Sequence, residues 1–248
     1  QKNNIAIEGY EDTNLPDNFF DIAVGNVPFG DFKVNDRRYN KLNLQIHDYF
    51  FAKTLDKVRP GGVIAFVTSS GTMDKRSTEF RRYLSQRADL LGAIRLPDNT
   101  FSANAGTEVT SDILFLQKRE SPRVDEAEWV ELDRTYNWET GTYGPEINAY
   151  FAMNPEMVLG DLKEISGPFG PELACIAREG EDLKTALTRA VSNIRGNFAH
   201  AEEGLYDQEY EERESIPADP DVRNYSFTLV DDTVYFREDS EMFKVALN

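Results

Sequence analysis

The chain of 248 residues carries 27 Lys and Arg against 44 Asp and Glu, a formal net charge of −17, with 40% hydrophobic residues. That is enough apolar material for one core plus an appendage, and no run approaches the roughly 18–20 consecutive apolar residues of a membrane span. Cys175 is the only cysteine, which excludes an intrachain disulfide and fits a reducing compartment; two histidines and one cysteine argue against a zinc site.

The charge is uneven. Residues 1–120 hold 16 acids and 16 bases, whereas residues 121–248 hold 28 acids and 11 bases. An acidic total disfavours nucleic acid as a partner, but the neutral first half gathers bases at Arg37, Arg38, Lys41, Lys75, Arg76, Arg81, Arg82 and Arg87. These serve either as a phosphate-binding surface or as solvated loop and helix faces. The chain begins at Gln1 without a leader pattern and is expected to be a piece of a longer polypeptide.

In chain order, residues 4–8 alternate like a short strand, and Asp21-Ile22-Ala23-Val24-Gly25 reads as a compact buried strand. Residues 42–58 have helical spacing, with Leu44, His47, Phe51, Leu55 and Val58 at three- and four-residue steps, until Pro60-Gly61-Gly62 stops them. His47 is expected to be packed or to cap. Val63-Ile64-Ala65-Phe66-Val67 is the pattern of a parallel strand covered on both faces. The stretch Ser69-Ser70-Gly71-Thr72 is a turn or a phosphate contact. Residues 77–87 form a polar helix, and 90–96 and 112–117 are two more strands joined by a loop of about 15 residues. Gly92 suggests close packing. This repetition predicts an open α/β sheet with ligands at the carboxyl ends of its strands. Residues 136–150 read as loop, 182–194 as an amphipathic helix, and 196–221 as an acidic, disordered stretch; the strands 225–230 and 233–237 turn at Asp231-Asp232. The expected domains are 1–120, 121–195, an acidic linker 196–222, and a hairpin segment 223–248. The acids around 202–214 are a solvated linker or a mimic of DNA.

The most specific feature is Gly25-Asn26-Val27-Pro28-Phe29-Gly30, directly after a strand. It reads as a plain strand-end turn or as a site. An exocyclic amine is a poor nucleophile because its lone pair is conjugated into the ring. Two acceptors for its two hydrogens let the nitrogen pyramidalise, and an Asn side-chain oxygen with the next carbonyl can supply them. An aromatic two residues later can stack on a base that has left the duplex, and the proline fixes the turn.

Asn26-Val27-Pro28-Phe29 resembles the Asn-Pro-Pro-aromatic motif of S-adenosylmethionine-dependent amino-methyltransferases of the adenine-N6 DNA type. Asp21 to Gly25 is similar to that family's fourth strand, and Leu55 to Val67, through Arg59-Pro60-Gly61-Gly62, to the helix and fifth strand of class I methyltransferases. Leu96-Pro97, Phe101, Thr110 and Ile113-Leu114-Phe115-Leu116 resemble the loop and last strand of restriction-system modification subunits, and, with Asn154 to Gly160, the methylase region of large helicase–methylase proteins of plasmids, phages and integrative elements. The resemblance implies a class I methyltransferase-like (Rossmann-like) α/β sheet, incomplete at its N-terminal side, with a mixed C-terminal extension. It implies that Asn26 and the Val27 carbonyl hold the target amine, Pro28 shapes the loop and Phe29 stacks on the base, with Phe101 as a second aromatic face. Arg37, Arg38, Lys75, Arg76, Arg81 and Arg82 would touch DNA. Glu11, Asp12 and Gly25 are the nearest candidates for S-adenosylmethionine contacts, since the family's glycine-rich loop should lie upstream of the motif. No metal is needed. The implied partners are DNA, an upstream cofactor-binding half and a helicase domain, in the cytoplasm of a bacterium. Two other functions fit the same residues: an inactive methyltransferase-like module that binds DNA or a partner, and a protein glutamine N5-methyltransferase.

Overall fold

A computed structural model describes residues 5, 7–102, 109–137, 139–167 and 170–194, then 215–219, 221–222, 226–231, 233–238 and 241–245. The chain divides into two units, Gln1–Asn197 and Phe198–Asn248. The acidic residues 196–214 and the centre of the long loop, 103–108, lie outside the described residues.

The first unit is built on a four-stranded sheet of order β1-β2-β4-β3, from β1 (Phe20–Asn26), β2 (Val58–Ser69), β3 (Ala88–Leu96) and β4 (Ser111–Lys118). β1 runs parallel to β2, with Asn26 opposite Val67; β4 inserts antiparallel between β2 and β3, with Val67 opposite Ile113 and Leu96 opposite Ser111. Helix α1 (Ile46–Lys57) precedes β2 and covers one face of it: Phe51 and Phe66 rings lie 5.2 Å apart, and Leu55 and Ile64 are buried with them. Arg59-Pro60-Gly61-Gly62 makes the passage from helix to strand. Gly61 has φ +78°, where a side chain strains the backbone, and a Cβ on Gly62 would sit 2.9 Å from the Asp21 carbonyl of β1.

Three expectations change here. β2 is covered on one face only: Ile64, Phe66 and Thr68 are buried while Val63, Ala65 and Val67 are half-exposed. The amphipathic helix that could cover the second face, Leu183–Val191, lies against β3 instead, and Gly92 there lets Ile194 and Tyr150 approach within 3.1–3.3 Å of where its Cβ would be. Residues 5, 7 and 8 belong to no strand; Ile5 and Ile7 are exposed and bury nothing. The stretch 136–150 is not loop. It contributes to a hairpin, β5 (Leu132–Asn137) with β6 (Thr142–Asn148), on which the Tyr136 and Tyr143 rings meet 5.1 Å apart, and to the short helix α4 (Ala149–Met153), capped by the Asn148 side chain. Between β2 and β3 lie α2 (Gly71–Asp74) and α3 (Glu79–Arg87). A further hairpin, β7 (Asp161–Gly167) with β8 (Gly170–Ile176), precedes α5 (Leu183–Val191), whose N-cap Asp182 accepts from the Thr185 amide at 2.9 Å.

Buried polar groups bind this extension to the sheet. Asn148 donates to the carbonyls of Met73 (2.9 Å) and Trp129 (2.8 Å). Arg95 on β3 is fully buried, forks onto Asp112 of β4 with two 2.8 Å bonds, reaches Asp74 at 2.5 Å and lies over the Phe151 ring. The Leu159 amide closes onto the Arg95 carbonyl at 2.9 Å.

The second unit is an antiparallel sheet of order β10-β11-β12-β9: β9 (Ser215–Pro217), β10 (Phe227–Val230), β11 (Thr233–Glu238) and β12 (Glu241–Lys244). The expected hairpin is present, turning at Asp231 with φ +47°, a conformation that Asp tolerates better than most residues. Ser215–Pro217, expected within an acidic linker, pairs with β12; its Ile216 is the apolar residue that composition averaging over the acidic stretch conceals.

Candidate active site

Asn26 ends β1, and the motif leaves the sheet at the carboxyl ends of the two parallel strands. The Val27 amide donates to the Val67 carbonyl at 3.0 Å and its side chain is buried. Strand geometry sends successive side chains to opposite sides, so burying Val27 leaves Asn26 and Pro28 outside. Phe29 is 36% exposed. Among the described residues neither the Asn26 amide nor the Val27 carbonyl has a protein partner. The loop that follows is laced to α1: the Ile46 amide donates to the Phe32 carbonyl at 3.1 Å, and the Gln45 side chain to Asp31 at 3.3 Å.

Beside the motif, Ser69-Ser70-Gly71-Thr72 forms a turn. The Gly71 amide donates to Ser69 Oγ at 3.2 Å, and the Thr68 and Thr72 hydroxyls bond at 2.9 Å. This turn borders a cavity of about 860 Å³ that also takes in Lys75, Arg76 and Thr110. Asp74, Asp98, Glu146, Glu164 and Glu172 outnumber Lys75, Arg76 and Arg134 around it, so its field does not favour phosphate.

The candidate DNA-binding residues divide. Arg81 is fully buried, donating to the Val130 and Lys75 carbonyls at 2.7 Å each, which removes it from any DNA surface. It faces inward because α3 buries Phe80, Arg81 and Leu84 together, one side of the helix. Arg38 is exposed but spans Asp17 (2.7 Å) and Asp56 (2.9 Å), Arg82 pairs with Glu126, and Lys75 with Asp48. Arg37 and Arg76 are exposed, with no acidic partner among the described residues. Phe101 is half-buried against the hydrophobic core.

Glu11 and Asp12 occupy a 3-10 turn packed on α1, where Tyr10 meets Thr54 at 2.9 Å and Lys53 donates to the Tyr10 and Glu11 carbonyls. No hydrogen bond or ion pair joins them to the motif. A Cβ on Gly25 would meet Phe66 at an ordinary 3.5 Å, so no close approach demands glycine there. For S-adenosylmethionine, the open groups at the motif are the Val27 carbonyl and the Phe29 face, which are also the groups that would hold a target base. Groups to grip its ribose and amino-acid ends are not found among the described residues around the motif.

One group was legible only as a helix residue. His47 is 5% exposed and Asp48 2%, adjacent in the first turn of α1. His47 does not cap; its ring nitrogens have no partner among the described residues. The signal for it is a polar pair breaking the apolar run Ile46 to Phe51.

An α/β sheet with an exposed Asn-x-Pro-aromatic loop at the end of a parallel strand has the form of an amino-group methyltransferase. Residues 3–141 match the family model "N-6 DNA Methylase", and the chain belongs to that family. It is 39% identical over 112 residues to the Defense against restriction protein B of Escherichia phage P1, across 42% of this chain and 5% of that protein. Similar solved structures are a modification subunit of a putative type I restriction enzyme from Vibrio vulnificus (21% identity, 42% of this chain and 24% of that one, TM-score 0.34) and the type I restriction enzyme EcoKI M protein (15%, 75% and 50%, TM-score 0.37). The chain spans a small fraction of the length of the phage relative.

Proposed function

We propose that this chain is the base-holding portion of a DNA adenine-N6 methyltransferase that uses S-adenosylmethionine. The observation that carries the reading is the loop at the end of β1, where Asn26 and the Val27 carbonyl are both unpartnered among the described residues, with an exposed aromatic two residues on. The Asn26 side-chain oxygen accepts one amine hydrogen and the Val27 carbonyl the other. The base is extruded from the duplex and stacks on Phe29. S-adenosylmethionine, when bound, supplies the electrophilic methyl group. Arg37, exposed and with no acidic partner among the described residues, contacts DNA phosphate, giving salt-dependent affinity.

The grip on the cofactor comes from an upstream portion of the polypeptide, which pairs with β1. Among the described residues that strand is the sheet's edge, and Ile22 and Val24 on it are 61% and 73% exposed. We take the parent to be a helicase–methylase polypeptide acting in a bacterial cytoplasm. The test is transfer of labelled methyl to DNA by the polypeptide that carries this chain together with its upstream sequence, followed by digestion and separation of nucleosides. N6-methyladenine supports the reading. Label on glutamine of a peptide, and none on DNA, favours the amide-methylating alternative; DNA binding with no transfer favours the inactive module.

A further inference from the structure

The loop between β1 and α1 encloses a small cavity of about 220 Å³ that the reading above leaves unused. Lys33, Asn35, Asn40 and Asn43 give it a polar wall, Val34 and Leu44 an apolar one, and among the described residues no carboxylate lines it. The hydrogen bonds of the polar wall fix which way its amides point. Lys33 can only donate, and its Nζ meets the Asn43 oxygen at 2.6 Å, so Asn43 Nδ2 is turned away from it. The Asp36 amide donates to the Asn40 oxygen at 3.0 Å, which leaves Asn40 Nδ2 to donate to the Asn35 oxygen at 2.8 Å. Every amide oxygen of the wall thus already accepts a bond. The groups left without a protein partner among the described residues are the Nδ2 of Asn35, the Nδ2 of Asn43 and the remaining hydrogens of Lys33, and all of them donate. Residues 30–45 carry Lys33, Arg37, Arg38 and Lys41 against Asp31 and Asp36, and Asp36 is itself held by Lys53 at 3.2 Å. Open donors in a positive loop select a ligand that is anionic and only accepts.

We propose that this cavity seats one phosphodiester of the DNA strand that carries the target base, with the attached deoxyribose against Val34 and Leu44. The inference rests on the reading of the motif as a DNA-base site. Its placement follows from the chain. Lys33 comes four residues after Phe29, and four residues of fully extended chain span at most about 14 Å. One strand of DNA rises about 3.4 Å per nucleotide, so that span covers roughly four nucleotides, and the phosphate at Lys33 is one of the few that flank a base on Phe29. The loop is also anchored, since the Ile46 amide at the start of α1 holds the Phe32 carbonyl at 3.1 Å. A phosphate gripped there fixes the register of the strand against the motif without reading its sequence. Exposed Arg37, two residues beyond Asn35, continues the same positive strip. The larger cavity at the end of β2, with its excess of carboxylates, does not compete for this anion.

The test is equilibrium binding of the polypeptide that carries this chain to a duplex with one unpaired adenine, measured across a range of salt. Two variants are compared, at positions that are both exposed. Lys33→Gln removes the charge. Asn43→Gly removes Nδ2 at a residue with φ +52°, a conformation glycine takes without strain. Each is expected to lower affinity by about tenfold. Lys33→Gln should also reduce the slope of log affinity against log salt by about 0.9, whereas Asn43→Gly should leave that slope alone. A methylphosphonate, which is uncharged, is then placed in turn at each linkage flanking the adenine. At one linkage it is expected to weaken the wild type about as much as Lys33→Gln does, and to weaken Lys33→Gln no further. Wild-type binding that neither variant changes overturns the proposal alone. So does a loss in Lys33→Gln that adds to the methylphosphonate loss at every linkage, which marks a disturbed loop. Affinity lost for S-adenosylmethionine, with DNA binding intact, assigns the anion to that molecule's carboxylate and also overturns it. No DNA binding by the wild type overturns it together with the proposed function.

Discussion

Asn26 and Phe29 stand exposed on either side of a buried Val27, and this makes two losses separable. On the proposed reading Asn26→Ala removes an acceptor from the target amine, and it leaves the buried Val27 in place. Methyl transfer is expected to fall by orders of magnitude while DNA affinity holds, as read by single-turnover kinetics beside a binding titration. Phe29→Ala removes a stacking face worth about 1–3 kcal/mol per base, so affinity for DNA with an unpaired target adenine should fall by the matching factor. Cys175 offers a third measurement. Burial pushes its thiol up to about 12, and its amide is pinned to Thr110 Oγ1 at 2.9 Å. The folded chain should resist thiol reagents at pH 8 and react at once in denaturant; rapid reaction of the native chain would show that β8 opens away from Thr110.

At the scale of elements, Arg95 and Asp112 join β3 to β4 while Asp74 draws in α2. Arg95→Met keeps the volume but strands a fully buried carboxylate. Loss of one partner of such a pair costs about 3–5 kcal/mol, to be read as a lower urea midpoint with an unchanged slope. The central elements were legible in the sequence because apolar runs such as Val63 to Val67 and Ile113 to Leu116 favour strand, although each buries only one face, Ile64 with Phe66 and Leu114 with Leu116. The β5–β6 hairpin was not, since its Gly and Asn residues read as turn and mask the strand formers Tyr136 and Tyr143, and its Asn148 is satisfied by Met73, 75 residues away in the chain. Arg81 misled for the same reason: its carbonyl partner Val130 is 49 residues distant, and spacing alone shows a basic helix face. The motif was legible as a pattern because its four residues are consecutive; the chemistry given to it is proposed. The buried His47–Asp48 pair with its Lys75 contact was not, because it joins two separated segments.

For the molecule as a whole, the division of charge matters more than its total. The balanced first half carries the motif and the exposed Arg37 and Arg76, while the excess of acid lies after residue 120. Calorimetric titration of this chain alone with S-adenosylmethionine should show no binding, because groups to grip its ribose and amino-acid ends are not found among the described residues around the motif. Restoring the upstream sequence should produce it. Micromolar binding by the chain alone would mean that a cofactor pocket forms without the upstream portion.

The bare edge of β1 has one more consequence. Among the described residues β1 has a strand neighbour on one side only, β2, and it ends at Asn26. Whatever docks along that edge therefore also fixes the angle at which Asn26 and Val27 are presented. On the proposed reading, docking along β1 and presenting the base share a single strand, so methyl transfer would wait on that docking.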